Sequence, residues 1–387
     1  MQTTELAAGF NWFAPYIEMD GVDGWGMLMN AVGTNCDRIM SQTEYTSYYG
    51  VYGYDMWFPE SSQMGTPVNN ASMYRIVMFE PTTMSLLGAM ADPEDHPVTI
   101  NKGMNHIGFI SSEPMALDEA LADLTPTNGD IVKTQTDYAE YYDYPGFTMW
   151  YGSLTSINPG EGLMYKSQNN NTVTFTYPSA SAKGNRNEVV EAKEHHWNAD
   201  YRAYPNNMTV LAVVELADEE LTSEEYELAA FADGECRGSV QLRYVEPIDR
   251  YVAFLTVSGD ETTSIDLRLY NHETGEEYSI ADNHIVYNTD DVIGDFNNPF
   301  VVRFNSSASE QLVVYPNPVN KGESFNVLLT SDQSAQVEII NSVGVIVSSK
   351  RAAGRDIMMD VPATQGVYTV RVITDGKEIK CVKLVVK

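Results

Sequence analysis

The side chains best suited to bind a ligand are aromatic, and they occur in two copies. Segment 34–58 returns as segment 127–151 at a constant offset of 93 residues, with eleven of the 25 aligned positions identical. Flat aromatic rings can stack on sugar rings or on a protein partner, so the duplication points to binding. The candidate ligand-binding residues are Tyr48, Tyr49 and Trp57 in the first copy and Tyr141, Tyr142 and Trp150 in the second.

The same aromatic residues could instead form the hydrophobic cores of the two copies, because tyrosine and tryptophan pack well on half-buried sheets. Neighbouring residues on a strand point to opposite faces, so Tyr48 and Tyr49 cannot both point inward. We therefore expect one member of each tyrosine pair to lie on an exposed face. Two weak sites of this kind would hold one neutral polysaccharide, or one protein surface, more tightly than a single site.

The residues that could perform catalysis form no recognisable site. The sequence contains no GxSxG, HExxH, P-loop, GxGxxG or EF-hand motif. The adjacent His195 and His196 lack a third ligand at metal-binding spacing, and His106 stands where the first copy has Trp12. We predict no catalytic residue, no metal ion and no cofactor, and therefore no enzymatic activity.

The charge of the chain argues against a nucleic-acid partner, since its formal net charge is −31. Residues 313–387 carry nine basic and seven acidic residues, so the rest of the chain carries −33. Acidic clusters occur at Asp20 and Asp23, at 92–95 and at 290–295, but none has the spacing of a calcium loop. Clusters of this kind are expected in so acidic a chain.

Three further observations concern the cellular setting of the chain. No apolar run is long enough for a transmembrane segment. The first residues lack the basic start and apolar core of a signal peptide, so we expect a mature form or a fragment. Cys36, Cys236 and Cys381 lie far apart and suggest buried thiols rather than a disulfide framework.

The duplication divides the first half of the chain into two repeats, which we place at 5–97 and 98–178. Each is predicted to combine an antiparallel sheet with one helix, over 24–32 in repeat 1 and, with a more regular apolar stripe, over 115–124 in repeat 2. Near the end of each repeat, Met73-Tyr74-Arg75 aligns with Met164-Tyr165-Lys166.

After a polar linker at 179–200, the sequence pattern predicts strands only. Seven short strands over 201–305 predict a β-sandwich of immunoglobulin-like size. Seven more strands form a module at 312–387, with hairpin turns at Ser342-Val343-Gly344 and Asp375-Gly376. The predicted fold class is mainly β and multidomain: two tandem α+β repeats followed by two immunoglobulin-like β-sandwiches.

The module at 312–387 resembles the C-terminal sorting domain of the type IX secretion system of Bacteroidota. The matching residues are Tyr315, Pro316, Asn317 and Pro318 at the first strand, then Gly366, Val367 and Tyr368, and Lys383 to Lys387 at the end. The resemblance implies a β-sandwich that directs an exported protein across the outer membrane. More weakly, the preceding segments resemble repeat and β-sandwich modules of secreted and surface proteins of that phylum.

These observations predict a secreted or outer-membrane surface protein whose partners are the type IX machinery and a polysaccharide or surface protein. Its role is then non-enzymatic binding or adhesion. The alternative is an accessory C-terminal region of a larger secreted peptidase or glycosidase, with the catalytic domain outside this chain.

Overall fold

The computed structural model describes residues 1–144, 147–179, 195–304, 313–374 and 377–387. Most of the predicted linker (180–194), the boundary at 305–312 and the predicted turn Asp375-Gly376 lie outside these residues. The chain divides into two compact units, Met1–Gly275 with Ser279–Ser306, and Glu276–Tyr278 with Ser307–Lys387. It is mainly β and multidomain, as the sequence predicts.

Repeat 1 is built on a five-stranded antiparallel sheet of order β2-β6-β3-β4-β5, while β1 and β7 form a separate ribbon. Its strands are β1 Gln2–Leu6, β2 Gly9–Phe13, β3 Cys36–Met40, β4 Tyr45–Tyr48, β5 Trp57–Phe58, β6 Tyr74–Met78 and β7 Thr82–Leu86. Its helices are α1 Gly24–Val32 and the 3-10 helices Gly33–Asn35, Gly50–Tyr52, Ser61–Gln63 and Pro93–Asp95.

Repeat 2 has a five-stranded sheet with the corresponding order, β9-β15-β11-β12-β13, and two ribbons, β8 with β16 and β10 with β14. Its strands are β8 Val98–Ile100, β9 Gly103–Gly108, β10 Met115–Ala116, β11 Ile131–Lys133, β12 Tyr138–Tyr144, β13 Phe147–Gly152, β14 Ser156–Ile157, β15 Gly162–Ser167 and β16 Val173–Phe175. Its helix is α2 Leu117–Ala120. Strand by strand, β9 takes the place of β2, and β15 that of β6.

The strand register identifies equivalent residues in the two repeats. Asn11 lies opposite Ile76 in repeat 1, and Asn105 lies opposite Tyr165 in repeat 2. Ile76 therefore corresponds to Tyr165, whereas the sequence alignment pairs Tyr74 with Tyr165. That alignment is wrong by two residues. A shift of two leaves every side chain on the same face of the strand, so the apolar alternation could not reveal the error.

The sequence suggests that the helix of repeat 2 is the more regular one, but in the structure the helix of repeat 1 is the longer and better capped. Helix α1 covers the predicted 24–32, and the Asp23 side chain accepts a hydrogen bond from Gly26 N–H at its start. Helix α2 is only four residues long and has Ala116, which offers no side-chain cap, before it. Leu121 and Leu124 are buried beyond its end. The apolar stripe therefore marks buried positions, but not a long helix.

The sandwich domain consists of two facing sets of strands. One sheet has the order β18-β17-β22-β21, with β25 and β26 parallel to β17, and the other has the order β20-β19-β23-β24. Its strands are β17 Asn206–Leu216, β18 Glu219–Glu220, β19 Tyr226–Ala232, β20 Glu235–Gln241, β21 Arg243–Val245, β22 Arg250–Gly259, β23 Thr263–Asn271, β24 Glu276–Tyr287, β25 Val292–Ile293 and β26 Phe300–Phe304. The 3-10 helices are Tyr201–Ala203 and Glu246–Ile248.

The C-terminal domain has five described strands: β27 Val313–Tyr315, β28 Ser324–Ile340, β29 Ile346–Asp360, β30 Gly366–Thr374 and β31 Lys377–Val386. Two pairs of predicted strands merge into the long β28 and β29, whose pairing shifts register between Leu328 and Gln333. Its core includes Phe325, Val337 and Leu384. Among the described residues of the chain, no helix combines the length and hydropathy that a membrane crossing requires.

Candidate functional site

Two glutamines join the repeats in a reciprocal way. Gln42 Nε2 donates to Met104 O (3.1 Å), and Gln42 Oε1 accepts from His106 N–H (3.1 Å). Its equivalent, Gln135, makes the same two bonds in the opposite direction, to Phe10 O (2.9 Å) and from Trp12 N–H (3.2 Å). The glutamine is identical in both copies of the sequence, and this identity was the only signal of its role.

Backbone contacts follow the same internal symmetry. Ala14 N–H donates to Gly160 O (2.9 Å), and the equivalent Gly108 N–H donates to Ala71 O (3.0 Å). Gly108 allows this approach, because a Cβ atom added there would lie 2.4 Å from the Asn70 carbonyl oxygen. The two repeats are therefore packed closely and hydrogen-bonded to each other within one unit.

An apolar cluster fills the centre of this contact. Trp12, Met73 and Met164 are buried together, with Met104 packed against them. His106 occupies the position of Trp12, and burial, followed by the nearby Arg75 charge, lowers the pKa of His106 to about 4. The imidazole is therefore neutral at physiological pH. The structure thus gives His106 a place in a packed contact.

The inner tyrosine of each predicted pair packs against the repeated tryptophan with its ring tilted. Tyr48 and Trp57 have ring centroids 5.5 Å apart, and Tyr141 and Trp150 have centroids 5.2 Å apart. The strand register is identical, since Tyr48 lies opposite Trp57 and Tyr141 opposite Trp150. Each tryptophan packs against the core of its own repeat.

The outer tyrosines differ sharply between the repeats. Tyr49 is 37% exposed, whereas its equivalent Tyr142 is 6% exposed. Four residues earlier in each repeat, Tyr45 is 59% exposed and Tyr138 is 1% exposed. The alternation along the strand therefore holds in repeat 1, where Tyr48 is buried and Tyr49 is not.

The sandwich domain covers these tyrosines in repeat 2. Tyr138 packs on Phe254 (5.8 Å between centroids), and Tyr142 packs on Phe296 (5.0 Å). Between the two tyrosines, Glu140 is buried, and burial followed by the Asp295 carboxylate raises its pKa to about 8. An ion pair from the buried Lys133 to the partly exposed Asp290 (2.8 Å) closes the same interface.

Repeat 1 leaves the equivalent face open, and we call this face the aromatic platform. Tyr45, Tyr49 and Phe58 lie on one side of the sheet, because Phe58 pairs with Ser47, which stands between the two tyrosines. The rings of Tyr49 and Tyr52 are 5.9 Å apart. The exposed large apolar residues of this region are Tyr45, Tyr49, Tyr52, Tyr54, Met56 and Phe58. So large an exposed aromatic group is typical of an interaction surface.

The two histidines near the end of the predicted linker have a structural partner that the sequence did not reveal. Glu227 is fully buried and lies 3.5 Å from His195 Nδ1 and 2.8 Å from His272 Nε2. Burial alone would raise the pKa of Glu227, but hydrogen bonds from His195, His272 and two backbone N–H groups lower it to about 2. The neighbouring His196 stacks on Tyr270 at 3.6 Å. These contacts fix the segment that leads into the sandwich domain.

The acidic clusters mostly make local contacts. Asp23 and Asp92 cap helices, and Asp295 accepts from Asn297 N–H (2.8 Å). Among the described residues, only Glu18, Asp20 and His96 form a group that could hold a metal ion. The buried His96 already has a protein partner, since its Nε2 is 3.1 Å from Glu18 Oε2. We propose no metal site there.

The sorting motif residues meet at the last strand. Asn317 Nδ2 donates to Lys383 O (2.7 Å), and Asn317 Oδ1 accepts from Val385 N–H (2.9 Å). Strand β30 pairs with β31 so that Gly366, Val367 and Tyr368 lie opposite the final residues. Lys387 N–H donates to Val319 O (2.9 Å), just after Pro316 and Pro318, while Tyr315 reaches Asp356 (2.8 Å). The separate motifs therefore form one end of the domain.

Comparison with protein families finds one match. The family described as secretion system C-terminal sorting domain matches residues 313–387. None of the curated protein sequences compared with the chain matches it significantly.

Several solved structures show limited similarity. PorZ, a surface component of the type IX secretion system of Porphyromonas gingivalis, is 16% identical, with a TM-score of 0.18 over 40% of this chain and 26% of its own. The chain thus spans about a quarter of PorZ. A DUF3823 family protein from Bacteroides ovatus is 11% identical, with a TM-score of 0.16, and the match covers 47% of this chain and 100% of its own.

SGBP-B of a Bacteroides ovatus mixed-linkage glucan utilization locus, solved with a mixed-linkage heptasaccharide, is 9% identical, with a TM-score of 0.18, and the match covers 100% of this chain and 63% of its own. TM-scores of this size support no functional assignment. The family match and the closed end of the domain carry the identification. Residues 313–387 are a type IX secretion system C-terminal sorting domain, and the protein is secreted or displayed on the outer-membrane surface.

Proposed function

We propose that this is a secreted or cell-surface binding protein, without catalytic activity, that holds a neutral polysaccharide on the aromatic platform of repeat 1. One observation carries the proposal: the same tyrosine positions are buried by the sandwich domain in repeat 2 and left open in repeat 1. If these tyrosines served only to fold the repeat, nothing would favour aromatic residues at the exposed positions.

Charge and ring geometry support a neutral sugar polymer as the ligand. Tyr45, Tyr49 and Phe58 project from one sheet face at strand spacing, and a row of rings suits successive sugar units of a chain. The formal charge of −31 repels anionic polymers at low salt. We keep the pairs of Tyr48 with Trp57 and Tyr141 with Trp150 as secondary candidates, because they lie at the margins of the sheets and all but Tyr48 are half-buried.

Three ionisable groups with shifted pKa values have structural roles, and this supports the absence of catalysis. The pKa of Glu140 is raised beneath the sandwich domain, and that of Glu227 is lowered in a buried network with histidines. His106, with a pKa lowered to about 4, lies in the contact between repeats. Each of these groups is used in packing, and none is paired with a nucleophile in the contacts described above.

The proposal is tested with the double variant Tyr45→Ala, Tyr49→Ala. We expect unchanged thermal unfolding, because both rings are exposed, and loss of retention in gels that contain neutral glucans, mannan, xylan or starch. Tyr244→Ala is the matched control, since it removes another exposed tyrosine far along the chain in the sandwich domain.

Two results would argue against a glycan-binding platform. If the double variant is retained as strongly as the parent chain, the platform does not bind the polysaccharide. If no polysaccharide is retained but a defined protein binds the parent chain and not the double variant, the ligand is a protein.

A further inference from the structure

The internal symmetry of the repeats creates two related clefts, and neither is lined by the exposed aromatic residues of the platform. One is lined by Gln42, Asn105 and His106, and the other by their equivalents Gln135, Asn11 and Trp12. We call them the open cleft and the filled cleft. Their volumes are about 630 Å³ and about 190 Å³. The difference has a visible cause within this chain.

The filled cleft holds the chain's own segment Tyr201–Ala203. Arg202 Nη1 donates to Asn11 Oδ1 (2.5 Å), and Gln135 Nε2 donates to Tyr201 O (3.5 Å). The backbone of this segment approaches Gly9 so closely that a Cβ atom there would lie 2.2 Å from the Arg202 carbonyl oxygen. The cleft thus binds a short 3-10 turn of polypeptide through one arginine side chain and its backbone.

The open cleft has the same polar groups without such a segment. Gly103, the equivalent of Gly9, has the same left-handed φ (89° against 84°), yet a Cβ atom there would meet no described atom within 4 Å. Asn105 repeats the bonds of Asn11 to its own strand, since its Oδ1 accepts from Asn101 N–H (2.8 Å) as Asn11 Oδ1 accepts from Ala7 N–H (2.9 Å). In the described part of the chain, no second donor to Asn105 Oδ1 corresponds to Arg202.

We propose that the open cleft binds a short turn of polypeptide that carries an arginine and is supplied by another protein. The arginine guanidinium would donate to Asn105 Oδ1, and the peptide backbone would pass over Gly103 and accept from the Gln42 amide. Asp20 and Lys102 both line this cleft, and the formal charge of −31 on the whole chain favours a cationic segment over an anionic one. None of the platform's aromatic residues lines this cleft, although Gln42 precedes Tyr45 by three residues.

The probe is a fluorescent ten-residue peptide with the sequence of residues 198–207, which contains Tyr201 and Arg202. The full chain is titrated into it at low salt, and fluorescence anisotropy is recorded. We expect saturable binding, weakened about tenfold or more when the arginine of the peptide is replaced by alanine, because a hydrogen bond to a charged donor is lost.

Two bulky substitutions locate the site. Thr99→Trp places an indole at the open cleft and is expected to abolish peptide binding. The matched Glu5→Trp change at the equivalent position of the filled cleft is expected to leave binding intact, since the chain's own segment already occupies that cleft. Thermal unfolding of both variants must match the parent chain. If either fails this check, Asp20→Asn is used instead and is expected to weaken binding severalfold.

Three results would overturn the proposal. The first is no binding of the peptide at millimolar protein concentration. The second is binding that Glu5→Trp removes and Thr99→Trp does not, which would mean that the peptide only displaces the chain's own segment. The third is a neutral oligosaccharide that binds the parent chain, competes with the peptide and is lost in Thr99→Trp, which would assign the cleft to a sugar.

Discussion

At the scale of single residues, equivalent positions in the two repeats have different surroundings, and those surroundings determine their chemistry. Ser47 of repeat 1 corresponds to Glu140 of repeat 2, and only Glu140 lies beneath another domain. Its carboxyl group has lost water and faces Asp295, which is why its pKa is raised. The same position therefore holds an uncharged serine on the open face of repeat 1 and a carboxyl group with a raised pKa in the interface of repeat 2.

Glu140→Gln should stabilise the chain in alkaline solution. The pKa of Glu140 is 4.5 in an unfolded chain and about 8 in the folded one, so its contribution to stability is complete below pH 4.5 and is lost as the pH rises through 8. Differential scanning fluorimetry should show a higher Tm for the variant at pH 9 and no gain at pH 4.5. A constant difference in Tm across this range would mean that Glu140 does not titrate in the interface.

At the scale of secondary-structure elements, the contact between the repeats depends on strands that approach without side chains between them. Gly108 lies at the end of β9, against the backbone of Asn70 and Ser72. Gly88, by contrast, has ordinary space for a methyl group, since its nearest neighbour would be Ile17 Cδ1 at 3.5 Å. Gly108 therefore lies in a close contact, whereas Gly88 lies at an ordinary loop position.

Gly108→Ala should destabilise the chain by about 1–3 kcal/mol through steric overlap with backbone atoms. Gly88→Ala is the matched control, because it reduces the conformational freedom of the unfolded chain in the same way. It should leave the free energy of unfolding unchanged or raise it slightly. Urea unfolding followed by tryptophan fluorescence measures both. Equal midpoints for the two variants would show that the repeats do not pack through β9.

The sequence predicted the elements better than their contacts. The duplicated block gave the correct residue pairs over β3 to β5, because eleven identities fix that alignment. It failed at β6, where few side chains are shared and a shift of two preserves the faces. Helix α2 is shorter than its leucine pattern suggests. The pairing of Gln42 and Gln135 with the opposite repeat could not be predicted, because no local pattern shows which surfaces of two repeats meet.

At the scale of the whole molecule, the chain combines a sorting domain with a unit that carries one covered and one open repeat face. The sequence located the sorting domain, since its short motifs occur in order at the C-terminus. It could not show that the sandwich domain would cover Tyr138 and Tyr142, because Phe254 and Phe296 are distant in sequence. That covering restricts the exposed outer tyrosines to repeat 1.

Residues 313–387, fused to a reporter that has its own signal for export to the periplasm, should carry the reporter out of a cell with the type IX machinery. Removing residues 377–387 should prevent this, because the last strand holds Asn317 and pairs with β30. Protease accessibility of the reporter on intact cells and in the medium measures the outcome. A reporter that remains periplasmic with the intact domain would contradict the assignment of the address to this segment.

Hydroxyl-radical footprinting with mass spectrometry tests the central claim most directly, because it measures the solvent exposure of each tyrosine in the full chain. We predict rapid oxidation of Tyr45 and Tyr49 and slow oxidation of Tyr138 and Tyr142. Addition of the bound polysaccharide should protect the first pair only. Equal oxidation of all four tyrosines, or protection elsewhere, would contradict the account of one open and one covered face.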